Sequence, residues 1–154
     1  MTGPAERLAA LGLTLPPVVA PLAAYVPAVL VGGFVYTSGQ LPMVDGKLSA
    51  VGKVGGEVSA QEAADLARTC ALNAIAAAAA AAGGLDAISR VVKVTGFVAS
   101  APGFSGQPQV VNGASELLIE MFGEDGRHAR SAIGVAELPL NAPVEVELIA
   151  QIRS

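Results

Sequence analysis

The chain has 154 residues, nine Lys and Arg against thirteen Asp and Glu for a net charge of -4, and 53% apolar residues with only 4% aromatic. That length suits one domain with its own core of Val, Ile, Leu and Ala, and the acidic balance supplies no surface for tracking a phosphate backbone, so nucleic acid is not expected as a partner. One Cys cannot form an internal disulfide, the start of the chain lacks the make-up of a secretory signal, and the most apolar stretch, residues 71–82, contains Asn73 and falls short of the ~20 residues of a membrane span; a cytoplasmic protein without a membrane partner is expected.

Residues 1–24 carry Pro4, Pro16, Pro17 and Pro21 and no sustained period beyond a possible turn at Glu6 to Ala10, which reads as an irregular N-terminal arm of a single domain spanning 1–154. From Tyr25 two β-rich runs flank Gly32 and Gly33, a hairpin signal. Residues 40–58, rich in Gly, Pro, Asp and Lys, read as an exposed loop. Ser59 and Glu62 have the spacing of a capping box, and the helix they start runs through about Ala82 to the terminating Gly83 and Gly84. Cys70 falls on its alanine stripe as a small core filler.

Valine-dense residues 90–100 form a strand ended by Pro102 and Gly103. Pro108 suits the first turn of a second helix, which carries Val111, Ala114 and Leu118 at helical spacing and closes at Gly123. Residues 130–138 form a further strand, and the alternation of Val144, Val146, Leu148, Ala150 and Ile152 marks a half-buried last one. The order β-β-α-β-α-β-β predicts an α+β fold with one mixed sheet and two helices on one face. The other face, if apolar, is most simply covered by self-association.

Phosphate-binding loops, dinucleotide fingerprints, metal-ligand spacings and nucleophile elbows are absent from the sequence, so no cofactor and no metal is expected. The chemistry is expected to centre on the C-terminal segment 126–147. The run Ala129-Arg130-Ser131, then Leu138-Pro139, then Val144-Glu145-Val146-Glu147 resembles the signature of the RidA (YjgF/YER057c/UK114) family. Tyr25-Val26, the run from Thr37 to Pro42, Val92-Lys93-Val94, Phe97-Val98 and Asn112 agree with it, so the resemblance covers about residues 25–152. The longer loop between Pro42 and Ser59, the extended arm and the wider spacing from Asn112 to Arg130 look like a longer branch of the family.

The resemblance implies a chorismate-mutase-like fold, a homotrimer with ligand sites between subunits, and hydrolysis of reactive enamines and imines, such as 2-aminoacrylate, to 2-keto acids and ammonia. By position, Arg130 matches the arginine that grips the substrate carboxylate, a task for which a guanidinium fork is suited. Glu145 matches the acid that positions or activates the attacking water, and Tyr25, Ser38, Gly39 and Asn112 match residues lining the cleft. Ala132 stands where short members usually carry Cys, which excludes a thiol mechanism and leaves the backbone amide to act. His128 lies two residues before Arg130 and is a candidate to face the same cleft.

Plainer readings stand beside these. Arg130 fits a structural ion pair with Glu145 or Glu147, His128 a hydrogen-bonded surface group, Tyr25 an interface seal, Ser38 a bond to the turn backbone, and Asn112 a backbone contact. Two further functions also remain. One is a non-catalytic binder of a small carboxylate or other metabolite; the other is the endoribonuclease or translation inhibitor of the family's older label, against which the acidic balance weighs.

Overall fold

The computed structural model describes residues 2–21 and 23–154. A short helix, α1 (Pro4–Ala10), comes first, with Leu8 buried, so the arm expected to be irregular is helical at its start. No local side chain caps it. Asp86 does so from a distant part of the chain, its Oδ1 accepting from the Ala5 amide at 3.1 Å. Tertiary contact thus supplies what the local sequence lacks.

Strands β1 (Ala28–Val31) and β2 (Phe34–Thr37) form the expected hairpin, and Gly32 and Gly33 both take the positive φ that a two-residue turn of this hand requires. The segment expected to be an exposed loop is instead tied down. A miniature hairpin of β3 (Met43–Val44) and β4 (Lys47–Leu48) lies within it, Gln40 exchanges both backbone hydrogen bonds with Val146, and Val54 bonds the backbone of Ala99 and Ala101. Val54 and Val58 enter the core. Asn73, itself buried, donates from its amide to Leu41 O at 3.2 Å and Met43 O at 3.0 Å, satisfying itself while holding this segment against the helix.

Helix α2 (Ala60–Ala82) begins as the capping box predicts, with Ser59 Oγ accepting from the Glu62 amide at 3.1 Å, and ends where Gly83 turns left-handed. Strand β5 (Ile88–Ala99), helix α3 (Gln107–Phe122), strand β6 (Ala129–Val135) and strand β7 (Val144–Ile152) follow, joined in part by single 3-10 turns. The main sheet has the order β1-β2-β7-β5-β6, with only β5 and β6 parallel. This is a mixed α+β sheet whose one face is covered by α2 and α3; the third helix, α1, packs beside α3 and was not foreseen as an element.

Small residues set how closely these layers approach. A side chain at Gly113 would overlap the backbone carbonyl of Ala64, and one at Gly96 would overlap Val111, so both glycines permit contact where even one methyl would not fit. Val91, Val94, Val98, Val144, Val146 and Leu148 point from the sheet into this core. Side chains alternate along each strand, and paired residues share a face. The register therefore sends Val29, Tyr36, Thr95, Phe97, Glu145, Glu147 and Ile149 to the opposite face, which no helix covers; Val29 and Tyr36 are nearly half exposed there.

Candidate functional site

Strand β6 is an edge, paired on one side only by β5. Arg130 pairs in register with Val94 and so points to the helix-covered face, where it runs along α3. Its Nη1 donates to Asn112 Oδ1 at 2.7 Å and Ser115 Oγ at 3.2 Å, and its Nη2 to Pro108 O at 3.4 Å. Every one of these acceptors is neutral. No carboxylate among the described residues lies within ion-pair distance of it, and the ion pairs present, Lys53 with Glu137, Arg68 with Glu120 and Arg127 with Glu124, lie elsewhere. The alternative in which Arg130 is locked to Glu145 or Glu147 is therefore not what the chain adopts.

A shallow cleft of about 210 Å3 opens beside the guanidinium, lined by Ser115, Ile119, Arg127, His128 and Arg130. His128 is half-buried, with Nδ1 2.6 Å from Gly126 O and Nε2 2.9 Å from Ser115 Oγ. Burial lowers its basicity and the Arg130 charge adds to this, while the bond to Gly126 works in the opposite direction. Ala132 lies two residues further along β6, on the same face as Arg130.

The remaining candidates gather elsewhere. Glu145 is half-buried on the helix-free face, with its carboxyl so close to Gly39 that a Cβ there would overlap it. Burial raises its pKa, and Glu147 on the same strand face raises it further. Gly39 also lines a small pocket of about 30 Å3 with Tyr25, the arm residues Val19 and Ala20, and Leu41 and Met43. Ser38 donates from its hydroxyl to Val26 O at 2.6 Å, so its hydrogen is spent on the turn backbone and only its lone pairs remain for a ligand.

Within one chain the candidates thus form two groups. Arg130 and His128 share the cleft against α3, with Asn112 bonded to Arg130 from the neighbouring groove and Ala132 next along the strand; Glu145, Gly39, Ser38 and Tyr25 stand together at the start of β7 and the end of β2. Glu145 pairs with Phe97, which pairs with Ile133, whereas Arg130 pairs with Val94, which pairs with Leu148; the two side chains lie on opposite faces of the sheet. Sequence reasoning missed Ser115, which joins Arg130 to His128. Its signal was available, since Asn112 and Ser115 are polar residues at i and i+3 of the helix and so share a face.

The two-layer α+β fold, with one mixed sheet covered on one face by helices, is of the chorismate-mutase-like class. The sequence model of the family described as YjgF/chorismate mutase-like, putative endoribonuclease, matches residues 5–152, and the chain belongs to that family. Among solved structures it is similar to Atu1372 of Agrobacterium tumefaciens, a protein of unknown function, with 47% identity, 97% of this chain and 92% of that one covered, and a TM-score of 0.90. A putative endoribonuclease of Shewanella oneidensis is 38% identical, with 98% and 100% covered and a TM-score of 0.94. The curated relative TCP17 of Trypanosoma cruzi is 43% identical over 97% of this chain and 94% of its own. Escherichia coli TdcF, solved with bound serine, is more distant at 28% identity, 92% and 96% covered, and a TM-score of 0.61.

Proposed function

We propose that the chain hydrolyses imines and enamines of 2-keto acids, of the 2-aminoacrylate type, in a cleft completed between copies of a homotrimer. One observation carries this reading: a guanidinium fixed by neutral acceptors alone, beside open space, retains a full charge for an anionic ligand. The serine bound by the TdcF relative offers a small carboxylate of the right size.

In this mechanism Arg130 holds the substrate carboxylate, with the Ala132 amide and Ser38 orienting the rest of the molecule. Water adds to the imine carbon, one of its protons passing to Glu145 as the C–O bond forms while the imine nitrogen takes up a proton. Glu145 then passes its proton to the nitrogen of the tetrahedral amino alcohol, the C–N bond breaks and ammonia leaves, and the hydroxyl gives its proton to solvent as the carbonyl of the 2-keto acid forms; an enamine enters this sequence after taking a solvent proton at its terminal carbon. Glu145 suits the base role because its raised pKa brings it closer to working pH. It serves this way only if the Glu145 face of one copy meets the Arg130 cleft of the next. The exposed Val29, Val31 and Tyr36 of the helix-free face provide apolar surface for such a contact.

The test is to generate the imine with an amino-acid oxidase and follow keto-acid release. Wild type is expected to outpace the spontaneous reaction and Arg130→Ala to match it; equal rates for the two proteins would overturn the proposal. A second reading, a carboxylate binder without turnover, is favoured by the absence, among the described residues, of any acid within ion-pair distance of Arg130. It predicts saturable thermal stabilisation by 2-keto acids with no acceleration. RNA cleavage is not the reading adopted, since the net charge of -4 gives no phosphate-tracking surface.

A further inference from the structure

The cleft beside Arg130 contains a hydrogen-bond chain whose hydrogen positions follow from its ends. Gly126 O can only accept, so His128 Nδ1, 2.6 Å away, must carry a hydrogen. In the neutral ring Nε2 is then a bare lone pair, and Ser115 Oγ at 2.9 Å must donate to it. The same serine oxygen accepts from Arg130 Nη1 at 3.2 Å. In this arrangement the serine hydroxyl hydrogen is turned toward the ring and withheld from any ligand.

The charged groups around His128 come from three sides. Arg130 of β6 and Arg127 of the preceding turn line the cleft with it, and Arg90 of β5 donates to Arg127 O at 3.2 Å. From α3 only Ser115 and Ile119 line this cleft, while Glu116 and Glu120 line a separate groove toward α2. In the turn itself Glu124 is bonded to Arg127 Nε at 3.1 Å, and Asp125 is exposed. The cleft thus carries cations on its walls and no acid.

We propose that Ser115 is a ligand-binding residue controlled by His128: when a small carboxylate enters, His128 takes a solvent proton on Nε2, donates to Ser115 Oγ, and frees the serine hydroxyl hydrogen to bond the carboxylate. The proposal rests on the reading of Arg130 as the carboxylate anchor. With no anion between them an imidazolium and a guanidinium would face each other across one oxygen, which is unfavourable, in keeping with the lowered basicity of the ring. An anion between them removes that opposition, and reciprocity requires that the proton tighten the anion in return. The cleft then binds one carboxylate together with one proton, and sequence position alone gives no hint of this coupling.

The experiment is calorimetric titration of the full-length protein with pyruvate, a 2-keto acid ionised throughout the range used, in buffers of different ionisation enthalpy. Wild type is expected to take up a fraction of a proton on binding and to bind about five- to tenfold more tightly at about pH 6 than at about pH 8. H128Q, whose side-chain amide keeps hydrogen-bonding capacity without titrating, is expected to bind with no proton uptake and a flat pH profile. S115A is expected to bind more weakly at the lower pH, where the freed hydroxyl matters. Pyruvate binding by wild type without proton uptake, or the same pH slope in H128Q, overturns this inference while leaving the anchor role of Arg130 intact. No binding at any pH, by wild type and Arg130→Ala alike, overturns both.

Discussion

Around Arg130 and around Glu145 the protein treats charge in mirror fashion. The guanidinium is gripped by an amide oxygen, a hydroxyl and a backbone carbonyl, with no acid near enough to pair. The carboxyl of Glu145 is half-buried beside Gly39, shares its strand face with Glu147, and has no cation within ion-pair distance among the described residues. Each is an uncompensated charge that the fold holds in place, and the two are of opposite sign on opposite faces of one sheet. A group kept rigid and unpaired is costly unless something outside the chain completes it. On the function proposed above, the two regions would be the two halves of a site, one for the anion and one for the water.

The largest effects should come from removing either charge. Arg130→Ala is expected to lower kcat/KM for imine hydrolysis about 100-fold, and Glu145→Gln to lower kcat by about 10-fold or more with KM little changed, as measured by keto-acid release. Similar KM increases for both variants would break the division into a holding half and a reacting half.

Two glycine substitutions sharpen it. Gly39→Ala pushes a methyl into the Glu145 carboxyl, and is expected to lower turnover about tenfold with a small loss of stability. Gly113→Ala pushes a methyl into the Ala64 carbonyl and is expected to cost about 2–3 kcal/mol in denaturant unfolding, since backbone cannot move aside as a side-chain end can.

Asn73→Ala tests the support behind the Glu145 half. It leaves the Leu41 and Met43 carbonyls without their donor and is expected to cost about 2 kcal/mol, with faster proteolysis at residues 40–58.

The smallest effect concerns stability against pH. The pKa of Glu145 is raised in the folded chain, so the folded state binds more protons than the unfolded one, and the carboxyl's contribution is lost as pH rises through its folded value. Glu145→Gln is therefore expected to raise Tm at neutral pH and to make little difference at about pH 4. A lower Tm at neutral pH would show that the carboxylate is stabilised by a partner.

Which parts were legible in the sequence follows from how local their causes are. The Ser59 cap, the left-handed Gly83, the turn at Gly32 and Gly33 and the alternation from Val144 to Ile152 depend on neighbours a few residues away, and all were readable. Helix α1 was not, because its cap is Asp86 from beyond α2. The buried places of Val54 and Val58 were not, because one bridge from Val54 to Ser100 and one between the two valines leave no period in the chain. Arg130 stood out through a motif, yet the sequence alone did not reveal that Glu145 projects from the other face. That fact requires the register of β5 with both β6 and β7.

Subunit mixing tests most directly whether the two halves meet between copies. Arg130→Ala and Glu145→Gln proteins, each strongly impaired, are unfolded together, reassembled and assayed for imine hydrolysis. If a site takes its arginine from one copy and its carboxylate from the next, random assembly restores about a quarter of the wild-type rate. A mixture no more active than its two parents, in oligomers shown to contain both chains, would contradict the account.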